Sequence, residues 1–135
     1  MSVYMGYLLL AMIVCLEAEG EPFQGKVGVA YVAVNRSEQW SQPLTQVIMA
    51  PHQFGGWRHV ERLERLDPRT WVSCKRAAQI VLGRMTTDPT FGAVHVLSDR
   101  DLRHPPSWVK QVRITTKIGR QTFYKGPHGK PMDER

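Results

Sequence analysis

The sequence predicts an α+β fold, with helices in the first part of the chain and a small antiparallel sheet in the C-terminal third. Apolar residues recur at helical spacing through residues 3–85, whereas strand-like alternation is confined to 93–98 and 112–125. Helices followed by strands are typical of this class. The chain has 135 residues, 42% of them hydrophobic, which is enough for one domain with its own core. We expect a single domain over 1–125 and a loose tail over 126–135.

The first two helices are predicted over residues 3–19 and 22–38. The first is apolar on all sides, which is typical of a buried central helix. Gly20 suits a left-handed C-cap, and Pro22 suits the first turn of the next helix. The stretch "VGVAYVAV" also alternates, so a strand is the alternative for the second segment. Gly28 and the alanines favour close helix–helix contact instead.

The remaining elements follow from turn and capping signals. They are a short helix ending at Met49, a loop over 50–57 broken by Gly55-Gly56, a charged surface helical turn over 58–66, a helix over 68–85 started by Asp67-Pro68, a strand over 93–98, a long loop over 99–108, and a hairpin over 112–125 around Gly119.

The apolar run over residues 3–16 raises the question of a membrane or export signal. It is shorter than the roughly 20 residues that a spanning helix needs. It has no basic residue before it and no small-residue cleavage pattern after it. We therefore expect a buried core helix, with membrane targeting as the alternative.

The net charge of +6 and the pI near 9.7 indicate an anionic partner, such as nucleic acid, an anionic membrane face or an acidic cell-wall polymer. No nucleic-acid recognition motif is present, and the cluster Glu17, Glu19 and Glu21 is unfavourable for phosphate contact. We expect no specific nucleic-acid binding, although a basic, non-enzymatic nucleic-acid module is the alternative function.

Cys15 and Cys74 both lie in apolar helical patterns and form no CxxC motif. We interpret them as two buried thiols, because free cysteine buries readily. A single disulfide is the alternative.

Glu17 ends the most apolar segment of the chain. Apolar neighbours disfavour the charged form of a carboxyl group and raise its pKa. A carboxylic acid with a raised pKa beside a cleft can protonate a glycosidic oxygen near neutral pH. The alternative is a solvated helix end, although acidic residues there oppose the helix dipole.

Five motifs in order resemble those of the SleB/CwlJ-type cell-wall hydrolases, over roughly residues 8–125. They are Glu17-Ala18-Glu19-Gly20-Glu21 with Phe23, Gly25 and Val34-Asn35-Arg36; "HQFGGW" (52–57); "FGAVHV" (91–96); "PSW" (106–108); and "TTKIGRQTFYK" (115–125). Four positions depart from the family pattern. Glu19 replaces an arginine, Gln121 replaces a histidine, and Ser98-Asp99 replaces Asn-Pro.

The resemblance implies a lysozyme-like fold and Glu17 as the catalytic acid. It implies cleavage between N-acetylmuramic acid (MurNAc) and N-acetylglucosamine (GlcNAc) in peptidoglycan. The chemistry is that of a lytic transglycosylase, which leaves a 1,6-anhydro product and requires no metal or organic cofactor. A hydrolytic muramidase, with Asp99 assisting water, is the alternative. The extra charge of Glu19 is expected to raise the pKa of Glu17 further.

Substrate binding is predicted for side chains near these motifs, namely Glu21, Gln53, Phe54, His95, Trp108 and Tyr124. The alternatives are helix capping by Glu21, a loop anchored by a buried Phe54, and ordinary packing for the others. His52, His59 and His104 lack ligand spacing, so we expect no zinc site.

Small size, basic charge and the lack of a convincing signal sequence suit a monomeric phage lysis protein. It would act in the bacterial cell wall or periplasm, after release from the host cytoplasm or as part of the virion. Its charge would favour transient contact with an anionic membrane or wall surface. A bacterial wall-remodelling enzyme is the alternative.

Overall fold

A computed structural model describes residues 3–51 and 53–127. The elements are α1 (Val3–Ala18), α2 (Phe23–Gln39), α3 (Leu44–Met49), α4 (Pro68–Leu82), β1 (His95–Ser98), β2 (Arg113–Ile118) and β3 (Gln121–Lys125), with 3₁₀ helices at Gly55–Arg65, Asp101–Arg103 and Ser107–Gln111. Helices precede the sheet, so the predicted α+β class is confirmed. The predicted tail lies outside the described residues, apart from Gly126 and Pro127.

Helix α2, rather than α1, is the most completely buried of the described helices. Every residue over 25–36 is buried, whereas α1 begins with exposed side chains at Val3 and Tyr4. Gly28 faces the sheet, where a Cβ would lie 2.8 Å from the Phe123 ring. The strand alternative for this segment is therefore wrong, and the close contact made by Gly28 is to the sheet. In the described ranges no helix combines the length and apolar character needed to cross a membrane.

Two helix-end predictions have different outcomes. The Asp67 side chain accepts a hydrogen bond of 2.7 Å from the Arg69 N–H, which confirms the start of α4. The left-handed cap predicted at Gly20 is wrong, because Gly20 does not have a positive φ. Lys26 Nζ instead donates to the backbone carbonyls of Glu19, at 3.2 Å, and Glu21, at 2.6 Å.

The sequence predicts a loop up to residue 57 and then a surface helical turn for the segment Gly55–Arg65, named the 3₁₀ segment below. The helical turn is confirmed, but the helix begins earlier, at Gly55, and it kinks at His59, where φ is −121°. Trp57 Nε1 donates to the Ile48 carbonyl at 2.8 Å and fixes the segment to the end of α3. Near the start of this segment Gly56 packs against α1, where a Cβ would lie 2.8 Å from that of Leu16.

The sheet has three antiparallel strands in the order β1-β3-β2, so the predicted hairpin is confirmed. Gly119 has a φ of 59° in the turn between β2 and β3. A register shift interrupts the β2–β3 pairing between Ile114 and Thr116. The β3 residues 121–124 are all buried, and this strand joins the sheet to α2.

Cys15 of α1 and Cys74 of α4 form a disulfide, with Cα atoms 5.6 Å apart. The interpretation as two free thiols is therefore wrong. Both residues are buried, as expected, but two apolar helical patterns do not reveal whether their cysteines face each other. The bond ties the C-terminal half of α1 to α4.

Candidate active site

A cleft of about 410 Å³ lies beside the C-terminal end of α1. The polar residues on its helical side are Glu17, Arg58, His59 and Arg62. Those on its sheet side are Ser98, Arg100, Asp101 and Gln121. The cleft thus joins the helical part of the chain to the edge of the sheet.

Glu17 is a half-buried residue in the last turn of α1 and is held from both walls. Its Oε2 accepts a hydrogen bond of 2.5 Å from the Gly56 N–H. Its backbone carbonyl accepts one of 2.9 Å from Gln121 Nε2 on β3. The carboxyl group is therefore fixed at the wall of the cleft.

Burial raises the pKa of Glu17 to about 7. The Gly56 hydrogen bond and the charges of Arg36 and Arg58 oppose this rise, whereas the Asp101 carboxylate adds to it. The predicted desolvation by apolar neighbours is confirmed. The negative charge that contributes is Asp101, and the expectation that Glu19 would supply it is wrong, because Glu19 is exposed.

Arg36 positions the wall that faces Glu17. It is fully buried, and burial lowers its pKa to about 9. Its Nε donates to the Val94 carbonyl at 2.6 Å, and its Nη1 donates to the Gln53 carbonyl at 3.1 Å. Its guanidinium carbon lies 4.4 Å from the centroid of the Phe54 ring. Arg36 thereby fixes the loop that presents the Gly56 N–H to the carboxyl group.

Gly56 is required by this geometry. A Cβ there would overlap the Glu17 carboxylate and lie 2.8 Å from the Leu16 Cβ. Glycine therefore allows the backbone to approach the carboxyl group closely enough to donate to it.

Among the predicted site residues, Glu17 lines the cleft and the other six do not. Glu21 accepts hydrogen bonds from the Arg120 N–H at 2.9 Å and from Arg120 Nε at 3.0 Å. It fastens the β2–β3 turn to the start of α2, and α2 has no side-chain cap. The capping alternative for Glu21 is therefore wrong.

Gln53 and Phe54 hold the loop before the 3₁₀ segment. The Gln53 carbonyl binds Arg36, and Phe54 is only 2% exposed beneath the same guanidinium. The alternative of a loop anchored by a buried Phe54 is confirmed.

His95, Trp108 and Tyr124 form a small aromatic cluster under the loop over 99–111. The ring centroids of His95 and Trp108 are 4.7 Å apart, and Trp108 meets Tyr124 edge to face at 6.5 Å. Burial, and then the charge of Arg36, lower the pKa of His95 to about 3, so its ring is neutral. All three residues are buried and none lines the cleft. Sugar contact by these side chains stays a prediction.

Sequence reasoning missed the other charged residues of the cleft because they lie in segments predicted as a surface helical turn or a loop. Asp101 is held by Ser98, whose N–H donates to Asp101 Oδ2 at 3.0 Å and whose Oγ accepts from the Asp101 N–H at 3.0 Å. Asp99, the base considered from the sequence, instead pairs with Lys117 at 3.1 Å and does not line the cleft.

Within residues 3–51 and 53–127, no group of three or more His, Cys, Asp or Glu residues is placed to hold a metal ion. His52 lies outside the described residues.

The cell wall hydrolase family model matches residues 20–124. The catalytic domain of the Bacillus cereus SleB protein is 26% identical, with 93% of each chain covered and a TM-score of 0.74. The catalytic domain of the germination-specific lytic transglycosylase SleB from Bacillus anthracis is 25% identical, with 89% of this chain and 93% of that chain covered and a TM-score of 0.72. No curated protein matches. Glu17 lies just before the residues that the family model matches.

Proposed function

Since the chain belongs to the cell wall hydrolase family and is a peptidoglycan glycosidase, we propose that Glu17 is the single general acid and base of the reaction. The proposed target is the β-1,4 bond between MurNAc and GlcNAc. One observation carries the proposal. The Glu17 carboxyl group lines a 410 Å³ cleft and has a pKa raised by burial to about 7.

The first step needs a protonated carboxyl group. A pKa of about 7 leaves about half of the molecules protonated at neutral pH, whereas an ordinary glutamate would be almost fully ionised. Glu17 donates this proton to the glycosidic oxygen as the bond to the MurNAc C1 breaks. The GlcNAc side leaves as an alcohol, and positive charge develops at C1 and the ring oxygen.

The second step uses the carboxylate that remains. Glu17 removes the proton from the C6 hydroxyl of MurNAc, and the C6 oxygen bonds to C1 to close the 1,6-anhydro ring. This transfer returns Glu17 to its acid form. The Gly56 N–H hydrogen bond stabilises the carboxylate between the two steps, and the Asp101 charge in the same cleft favours the positive charge at C1.

Hydrolysis is the second candidate, because the cleft contains another carboxylate. In that reaction water replaces the C6 hydroxyl, and Asp101 is the residue that would accept its proton. Asp101 replaces Asp99 as the candidate base, because Asp99 is paired with Lys117.

We place the reaction in the bacterial cell wall, with phage-induced host lysis as its setting and a monomer as the active form. The net charge of +6 supports retention on an anionic wall. The Cys15–Cys74 disulfide supports action outside the reducing cytoplasm, where such bonds persist.

Mass spectrometry of purified peptidoglycan after digestion tests the reaction. We expect muropeptides that end in anhydro-MurNAc and are lighter by one water than the products of a hydrolytic muramidase. Products of full hydrolytic mass that end in reducing MurNAc would support the second candidate. Products that end in reducing GlcNAc would contradict the proposed bond.

A further inference from the structure

Three arginine side chains line the cleft without a carboxylate partner. Arg58 and Arg62 come from the 3₁₀ segment, and Arg100 comes from the opposite wall after β1. All three are exposed. Among the described residues, none of these three arginines is within salt-bridge distance of a carboxylate. We name these three residues the arginine rim.

Two other arginines of the chain, in contrast to the arginine rim, are paired with carboxylates. Arg84 pairs with Glu38 at 2.9 Å and Arg120 pairs with Glu21 at 3.0 Å, both away from the cleft. A concave site lined by unpaired charges of one sign focuses the electrostatic potential and attracts a ligand of the opposite sign. The arginine rim therefore indicates an anionic group on the ligand of this cleft.

The carboxylates in the cleft do not neutralise the positive charge of the arginine rim. Glu17 and Asp101 are the acidic residues among its described lining. When Glu17 carries its proton at the start of the reaction, Asp101 is the single negative charge facing three guanidinium groups. With Glu17 protonated, the described lining of the cleft thus carries a net positive charge.

We propose that the arginine rim binds carboxylate groups carried on the 3-O-lactyl arm of MurNAc. This inference rests on the proposed function, because it assumes that the glycan strand occupies the cleft. The sugar rings of the strand carry no charge of their own, and the carboxylates of peptidoglycan are attached through this arm. They are either the free lactyl carboxylate or the carboxylates of a stem peptide. Guanidinium groups suit them because they bind carboxylates through paired hydrogen bonds.

The test compares Arg62→Gln/Arg100→Gln with the wild type on four substrates. The matched control is Arg65→Gln, which changes an exposed arginine of the same 3₁₀ segment that does not line the cleft. The first substrate is glycan with stem peptides, and the second is glycan from which an amidase has removed them. The third and fourth are the same preparations with every carboxylate converted to a neutral methylamide.

We expect the double variant to lose at least about tenfold in kcat/KM on carboxylate-bearing glycan, because each charge-assisted contact contributes about tenfold. On the methylamides it should equal the wild type, and Arg65→Gln should equal the wild type throughout. A loss confined to stem-bearing glycan identifies stem carboxylates as the ligand. A loss confined to denuded glycan identifies the lactyl carboxylate, and a loss on both shows that the rim accepts either.

Equal kcat/KM for the double variant and the wild type on carboxylate-bearing glycan would overturn the inference. So would an equal loss on the methylamides, since contacts with neutral groups would then explain it. Failure of the proposed function has a different result, in which the wild type cuts none of the four substrates or Glu17→Gln cuts them as the wild type does.

Discussion

Replacing Glu17 by glutamine is expected to lower the rate of glycan cleavage by about three orders of magnitude, as loss of a general acid and base does. Glutamine keeps the size of the side chain and can still accept the Gly56 N–H, but it has no proton to transfer. The measurement is the initial rate of muropeptide release from purified peptidoglycan. Glu19→Gln is the matched control, because Glu19 is an exposed glutamate two positions away and should leave the rate unchanged.

The same variant separates loss of chemistry from loss of folding. The pKa of Glu17 is raised from 4.5 to about 7, so the folded state is disfavoured as pH rises through this range and the carboxyl group ionises. Below pH 4.5 the group is protonated in both the folded and the unfolded state. Glu17→Gln should therefore raise the free energy of unfolding at pH 8 by on the order of 3 kcal/mol and leave it nearly unchanged at pH 4. If Glu17→Gln were inactive because it is unfolded at pH 8, the expected stabilisation by this substitution would be contradicted.

Removing the disulfide is expected to have the largest effect on stability. Cys15 and Cys74 are 59 residues apart in sequence, and closing a loop of this length restricts the unfolded chain by about 4 kcal/mol. Cys15→Ser/Cys74→Ser should lower the free energy of unfolding by this amount, measured by urea denaturation without reductant. Wild type unfolded and refolded with reductant should match the variant.

The buried position of the bond supplies a control for this prediction. Since both cysteines are at most 1% exposed, a reductant added to the native protein should act only on molecules that open. Thiol titration of non-reduced, denatured wild type should find no free thiol. Two titratable thiols, with equal stability for wild type and variant, would show that the bond does not form.

Local signals explain why much of the fold could be predicted. The start of α4 follows from Asp67-Pro68, and the hairpin follows from alternation around Gly119. The burial of the Glu17 side chain could be predicted in the same way, because its apolar neighbours precede it on one helix. The resemblance to a known family added the order of the five motifs along the chain, but not the contacts between them.

The rest of the site depends on contacts distant in sequence. Gly56 was interpreted as a loop breaker, and its role appears only when the 3₁₀ segment lies against α1. Asp101 and Arg100 were assigned to a loop, which the fold brings opposite Glu17. Residue type alone did not decide the role of Trp108, since a tryptophan suits a sugar-stacking platform and a core equally well. Only burial distinguishes these two, and burial depends on how the sheet and the following loop pack.

The proposed reaction requires Glu17 to hold its proton near neutral pH while it faces the cleft. Titration of its side-chain carboxyl resonance by ¹³C NMR measures this directly, and Glu17→Gln assigns the resonance by its disappearance. We predict a midpoint near pH 7, in agreement with the pKa of about 7 that burial produces. A midpoint near the ordinary value of 4.5 would show that the group is ionised at neutral pH and would contradict its role as the acid.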